Sequence, residues 1–185
     1  MPSREEVLRS LYGAWRLAWL DRSGMSYFDL TVEGFWRSFF AAILVAPGYA
    51  LLVAQKLLGR PEEFSALWAF LVESTAYVVG WAAFPVVAIG LTQVLGLGRN
   101  YSALIIAANW AAVIQIAAFL VAVGAAFVAP PLGSLLVTLV TGAILFYQWF
   151  VVRTALQTTG GLALAVVLVD LLVNTAINLS AERLL

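Results

Sequence analysis

The chain has 185 residues, of which 63% are hydrophobic and only 11% charged, and its ten Lys and Arg balance its ten Asp and Glu. Soluble domains carry roughly 25% charged residues, so a mean hydropathy of +0.97 excludes an ordinary soluble fold, and a net charge of zero gives no argument for nucleic acid as a partner. There is neither Cys nor His, which rules out disulfides, thiolate nucleophiles, zinc–cysteine sites, a Ser–His–Asp triad and a His proton relay.

Residues 1–34 form a polar and aromatic prelude. Ser3 and Glu6 stand three apart, the spacing of a capping box at a helix start. Leu8, Leu11, Trp15, Ala18 and Trp19 then recur at helical spacing, flanked by Arg4, Arg9, Arg16 and Arg22, until Asp21-Arg22-Ser23-Gly24 ends the pattern. This predicts an amphipathic helix over residues 4–20 lying in the lipid headgroup layer on the cytoplasmic side, its apolar stripe toward lipid or the bundle. The first long apolar run starts near Phe35, too late for a secretory signal.

Residues 35–185 read as one domain of five transmembrane helices. The spans are expected near 35–54, 66–91, 102–127, 132–153 and 161–180, each close to the roughly 20 apolar residues that cross a bilayer. All connections are short, which predicts that consecutive helices are antiparallel neighbours. Pro47 and Pro85 fall inside spans and are expected to kink them. Glu62-Glu63 after Pro61 reads as a solvated helix start, and Gly160-Gly161 as a tight turn before the last span. The fold class is therefore all-α and polytopic, a five-helix bundle with an N-terminal interfacial helix.

With the N-terminus cytoplasmic, that side holds Arg4, Arg9, Arg16, Arg22, Arg37, Arg99 and Arg153, and the other side Lys56, Arg60 and Arg183. The seven-to-three asymmetry predicts an N-in, C-out, multi-pass protein of a cell membrane, such as a bacterial inner membrane.

The chemistry that composition leaves open is concentrated in a few intramembrane residues. Asp170 sits in the middle of GLALAVVLVDLLVNTAINL, with Asn174 and Asn178 following on the same helical face. A carboxylate at that depth needs a partner, a wet cavity or a proton. At a rise of about 1.5 Å per residue, Asp170, Asn109 and Gln148 lie at about the same level, roughly 8–13 Å from the inner ends of their spans. The expected binding cluster is thus Asp170, Asn109, Gln148 and Asn174, either as a polar knot that fixes helix register or as an ion-responsive site. Glu73 is the second intramembrane carboxylate. Tyr77 follows it at i+4, Tyr49 lies at a similar depth, and Lys56, Arg60 or Arg183 stand ready to neutralise it. Asp170 and Glu73 lie at different depths, so a two-aspartate protease site is not supported. No catalytic residue, cofactor or metal is expected.

The stretches RSFFAAILVAP at the first span and RNYSALIIAANWAAVIQI at the third, within five compact helices behind a polar N-terminal segment, resemble the Yip family of membrane domains (Ypt/Rab-interacting proteins and their bacterial relatives). The proline that the family carries about a turn and a half beyond the Tyr-Ser pair is replaced here by Asn109-Trp110. The resemblance implies a non-enzymatic scaffold, assembly or trafficking role, with the bilayer and other membrane proteins or a second copy as partners. The residues by themselves leave two alternatives: a small proton- or ion-coupled transporter or channel using Asp170, or an accessory subunit of a larger membrane complex.

Overall fold

A computed structural model of the chain describes residues 1–58 and 65–185. Arg60 and the Glu62-Glu63 helix start lie outside the described residues. Among the described residues all regular structure is helical: α1 (Arg4–Ala18), a 3-10 turn (Arg22–Tyr27), α2 (Val32–Ser38), α3 (Phe40–Leu57), α4 (Ala66–Val94), α5 (Tyr101–Val128), α6 (Pro130–Leu156) and α7 (Gly160–Leu184). Five stretches are long and apolar enough to cross a membrane: 32–57 (α2 running on into α3), α4, 98–128 (a 3-10 turn, Gly98–Asn100, leading into α5), 132–156 of α6, and α7. The protein is thus an all-α, polytopic bundle, with each span within a few residues of its predicted place.

The N-terminal segment packs onto this bundle rather than standing apart. Ser3 caps α1 by accepting the Glu6 N–H at 3.1 Å. The capping box is only half formed, because the Glu6 carboxylate turns instead to Arg37, 3.0 Å from Nε, in a charge contact rather than an aligned hydrogen bond. Arg37 also holds Asp29 at 2.5 Å, tying α1, α2 and the loop between them together. A guanidinium satisfies a nearly buried carboxylate better than one backbone amide does. The Asp29 carboxyl is held below its ordinary range mainly by the Thr31 hydroxyl and amide, with Arg37 adding to the effect.

The surface by which α1 docks is not its predicted apolar stripe. Glu6, Ser10, Gly13, Ala14 and Leu17 are the buried residues, whereas Leu8, Trp15 and Trp19 are 50–70% exposed. Leu11 and Ala18 only flank the core. The cause is close approach: small residues at helical spacing let α1 settle on the 3-10 turn and on α5 and α6, where the Tyr147 hydroxyl donates to the Ala14 carbonyl at 2.9 Å. Gly24 is part of this seam, and a Cβ there would meet the Gly13 carbonyl at 2.5 Å and Leu17 Cγ at 2.9 Å. Gly24→Val should therefore destabilise the N-terminal cap by about 1–3 kcal/mol, the usual range for overpacking. Trypsin cleavage after Arg16 and Arg22 should accelerate. Unchanged cleavage would show that the seam yields without cost.

Helix pairing departs from the sequence expectation. Backbone packing is closest between α5 and α6, followed by α4 with α7, α3 with α5, and α6 with α7. Consecutive α3 and α4 are instead joined mainly through side chains: Tyr77 on α4 donates to the Ala42 carbonyl on α3 at 2.5 Å, and the Tyr49 and Tyr77 rings stand 4.7 Å apart. The two are held apart because a cavity lies between them. Two packed clusters close the end of the bundle that carries α1. One joins Ala14, Leu17 and Phe28 to Trp110, Tyr147 and Phe150, and the other joins Leu104 and Ile105 to Val152, Leu156, Ala163 and Val166. Toward the opposite, far end most residues of α5, α6 and α7 are exposed, although α5 and α6 stay in close contact there through Gly133 against Ala126. The turn into α7 is made by Gln157 in the left-handed region (φ 50°) and capped by Thr159, so the Gly160-Gly161 pair is helix rather than turn. Gly160 is needed for a different reason: Trp149 lies against it and donates to its carbonyl at 2.9 Å.

Candidate functional site

A cavity of about 510 Å³ occupies the middle of the bundle. All five spanning helices line it: Val45 and Tyr49 from α3, Ala76 to Pro85 from α4, Ala108 to Phe119 from α5, Thr141 to Val152 from α6, and Asp170 to Asn178 from α7. Phe84, Val151 and Val152 belong to the packed clusters as well, and form its floor toward the α1 end.

Asp170 is 9% exposed and faces this cavity. The geometry around it follows from helix register. Asn174, one turn on, donates from Nδ2 to Asp170 Oδ1 at 2.8 Å and to the Asp170 carbonyl at 3.0 Å. Gln148 of α6 donates from Nε2 to Asp170 Oδ2 across the helix gap. Asn178 continues the row, donating to the Asn174 carbonyl at 2.9 Å and lining the same cavity. Three of the four residues expected to form the cluster therefore meet. Asn109 lines the cavity but does not reach the carboxylate. Its Nδ2 donates to the Ser38 hydroxyl at 2.8 Å, and Ser38 donates in turn to the Phe35 carbonyl at 2.7 Å. Asn109 thus pins α5 to the junction of α2 and α3, because a fully buried Ser38 hydroxyl stands nearer than Asp170.

The second carboxylate has different partners from those its own helix offers. Glu73 Oε2 accepts from the Tyr49 hydroxyl at 2.9 Å and Oε1 from Lys56 at 3.2 Å. Tyr77, its i+4 neighbour, is spent on the Ala42 carbonyl. Lys56 also lies 3.2 Å from Glu182, so one ammonium ties α3 to α4 and to the end of α7. The indole of Trp68 adds a bond to the Leu184 carbonyl at 2.6 Å.

Two cavity residues went unnoticed in the sequence, Gln115 and Thr141. Each is a polar residue inside an apolar span, which was the available signal. Glu182, in the last turn of α7, was missed as a partner of Lys56 because nothing local points to it. What the site can do chemically is limited and definite. It presents one carboxylate with both oxygens already oriented by amide donors, further amides and hydroxyls around it, and an aromatic wall formed by Tyr49, Tyr77 and Trp81. The described residues hold no group of His, Cys, Asp or Glu suited to a metal ion.

No protein-family model, curated protein or solved structure matches this chain. The fold and the site define a class only: a polytopic, all-helical membrane protein with a mostly apolar cavity at mid-bundle that carries one carboxylate and several amides.

Proposed function

We propose that this protein binds a small solute in its central cavity and passes it across the membrane, with Asp170, Gln148 and Asn174 as the binding point. The observation that carries this reading is the cavity itself, about 510 Å³ and lined by every spanning helix. A protein that served only as a packed scaffold would have no reason to keep a carboxylate and several amides around an open volume at mid-membrane, where each is costly. The volume lies within the roughly 300–1,000 Å³ usual for ligand sites.

The absence of cysteine from the chain makes a direct test simple. Single substitutions Thr141→Cys and Asn178→Cys, which face the cavity, should react with a membrane-impermeant cationic thiosulfonate in native membranes. Leu168→Cys, exposed on the outside of α7 and away from the cavity, should not. If the cavity positions stay as unreactive as the control, the volume is not reached by water and solute passage is excluded.

The N-in orientation belongs to the same reading and rests on the seven-to-three distribution of Lys and Arg. It places the packed α1 end on the cytoplasmic side. A reporter fused after Leu185 should be active only outside the cytoplasm, and cytoplasmic activity would overturn the orientation.

A second reading keeps the Yip-like scaffold role. It is favoured by the exposed face of α1, which carries Leu8, Trp15 and Trp19, and by Trp36 of α2, which is exposed as well. Trp and Arg together suit a headgroup layer, and an amphipathic α1 lying there would order lipid or receive another membrane protein. Co-purification in mild detergent tests it: a stoichiometric protein partner lost on Trp15→Ala and Trp19→Ala supports a scaffold, and none argues against one.

A further inference from the structure

Resting on the solute-binding reading above, we infer that the ligand of the cavity is a monovalent organic cation, an ammonium group bearing aromatic or aliphatic substituents. Three features of the wall point to this class. First, Asp170 is the only Asp or Glu among the lining residues, and no described lining residue is Lys or Arg. A solute there meets a single negative charge with no counter-ion supplied by the protein. Gln148 and Asn174 each take one lone pair of the carboxylate, and a carboxylate has about four acceptor positions, so it retains capacity for a cationic ligand.

Second, part of the wall is aromatic. The Tyr49 and Tyr77 rings lie 4.7 Å apart, tilted by 36°, and Tyr77 meets Trp81 edge-on at 6.2 Å, so the three rings form a continuous run along the cavity. Aromatic faces attract ammonium groups and shed little on contact with substituents that carry no charge. Third, the remaining lining is mainly alanine, isoleucine, valine and phenylalanine. A divalent metal ion asks for six or more oxygen ligands, which one carboxylate in such a wall does not provide. An anion would face Asp170 without any compensating cation. A lipid headgroup is the wrong source, because Asp170 lies ten residues along α7 from Gly160, about 15 Å, well inside the hydrocarbon. The cation is therefore a free solute.

The test uses the full-length protein in uncharged detergent micelles with three probes, tetramethylammonium, benzyltrimethylammonium and benzenesulfonate, read by isothermal titration calorimetry. Benzyltrimethylammonium should bind best, tetramethylammonium more weakly for want of a ring, and benzenesulfonate not at all. Asp170→Asn should weaken the cation by about tenfold or more, since it removes the charged partner and keeps the shape. Thr141→Lys supplies a second arm that does not touch the buried network, because Thr141 is an exposed position on the cavity wall. An ammonium placed there should weaken cation binding several-fold by repulsion and leave the unfolding temperature near that of the parent. Equal affinity for the cation in the parent and in both variants overturns the inference. So does preference for benzenesulfonate. If the Thr141→Cys and Asn178→Cys positions are labelled by the aqueous reagent yet neither cation binds, the inference falls while the solute-binding reading stands. If those positions are not labelled, both fall together.

Discussion

Lys56→Met should destabilise the protein by about 2–4 kcal/mol, somewhat less than the roughly 3–5 kcal/mol for breaking a buried ion pair, because part of the lysine remains in solvent. Its side chain is 33% exposed, against 5% for Glu73. Removing the ammonium leaves Glu73 with the Tyr49 hydroxyl as its one side-chain partner among the described residues and frees Glu182 from its contact with α3. The loss should be visible as a lower temperature for collapse of the monodisperse peak in mild detergent. Adding Glu73→Gln to that background should restore most of the stability, since the amide still accepts from Tyr49 and carries no charge that needs a partner. If the double variant is no better than Lys56→Met alone, the lysine stabilises by something other than the pair.

Asp170→Leu should be the most damaging change at the cavity, at about 1–4 kcal/mol. Two amides, those of Gln148 and Asn174, lose their acceptor at once. An unsatisfied buried donor costs about 1–3 kcal/mol, while a single hydrogen bond within membrane bundles averages only about 0.6. The expected cost sits between those two measures because the amides are partly accessible from the cavity. Asp170→Asn should cost less than about 1 kcal/mol, since one oxygen still accepts from one of the two amides and the shape is kept. The comparison of the two variants in the same detergent separates a hydrogen-bonding role in folding from any role of the charge. If both are equally harmful, the negative charge itself holds the bundle. If both are harmless, the network contributes nothing to stability.

Much of the architecture could be read from hydropathy, because lipid demands long apolar helices whose backbone bonds are all internal. The five spans therefore fell near their observed places, and the shared level of Asp170 and Gln148 could be obtained by counting residues along two helices. Helix pairing was not legible in this way. The polar row Asp170, Asn174 and Asn178 of α7 is directed to Gln148 and the cavity, and the rest of α4 and α7 is apolar nearly all round, so no polar face marks their pairing with each other. Their pairing came instead from tertiary packing that sequence spacing does not record. Of the two tyrosines set beside Glu73, Tyr49 reaches it from another helix, as its depth suggested, whereas Tyr77, one turn on along the same helix, bonds to the Ala42 carbonyl instead. Asn109 was placed at the right depth yet has a different partner, because Ser38 lies at a helix junction that hydropathy treats as part of a continuous span. In α1 the apolar stripe drew the reading, while the docking surface is built on the small residues Ser10, Gly13 and Ala14 together with Leu17.

The pairing of α4 with α7 has a consequence for biogenesis. The ribosome delivers α4 long before its companion is made. At about 5–20 residues per second, the interval is on the order of ten seconds. During that time α4 has entered the bilayer with Glu73 in its first half, while the helix that will cover one of its flanks does not yet exist. Lys56, on the helix made just before, is already present and can hold the carboxylate through the wait. Glu182 arrives only with the closing turns of the chain and joins an ion pair that is already in place. Chains stopped before α7 should accordingly keep α3 and α4 associated through Lys56, Glu73 and Tyr49, and be recognised by quality-control proteases on the bare flank of α4.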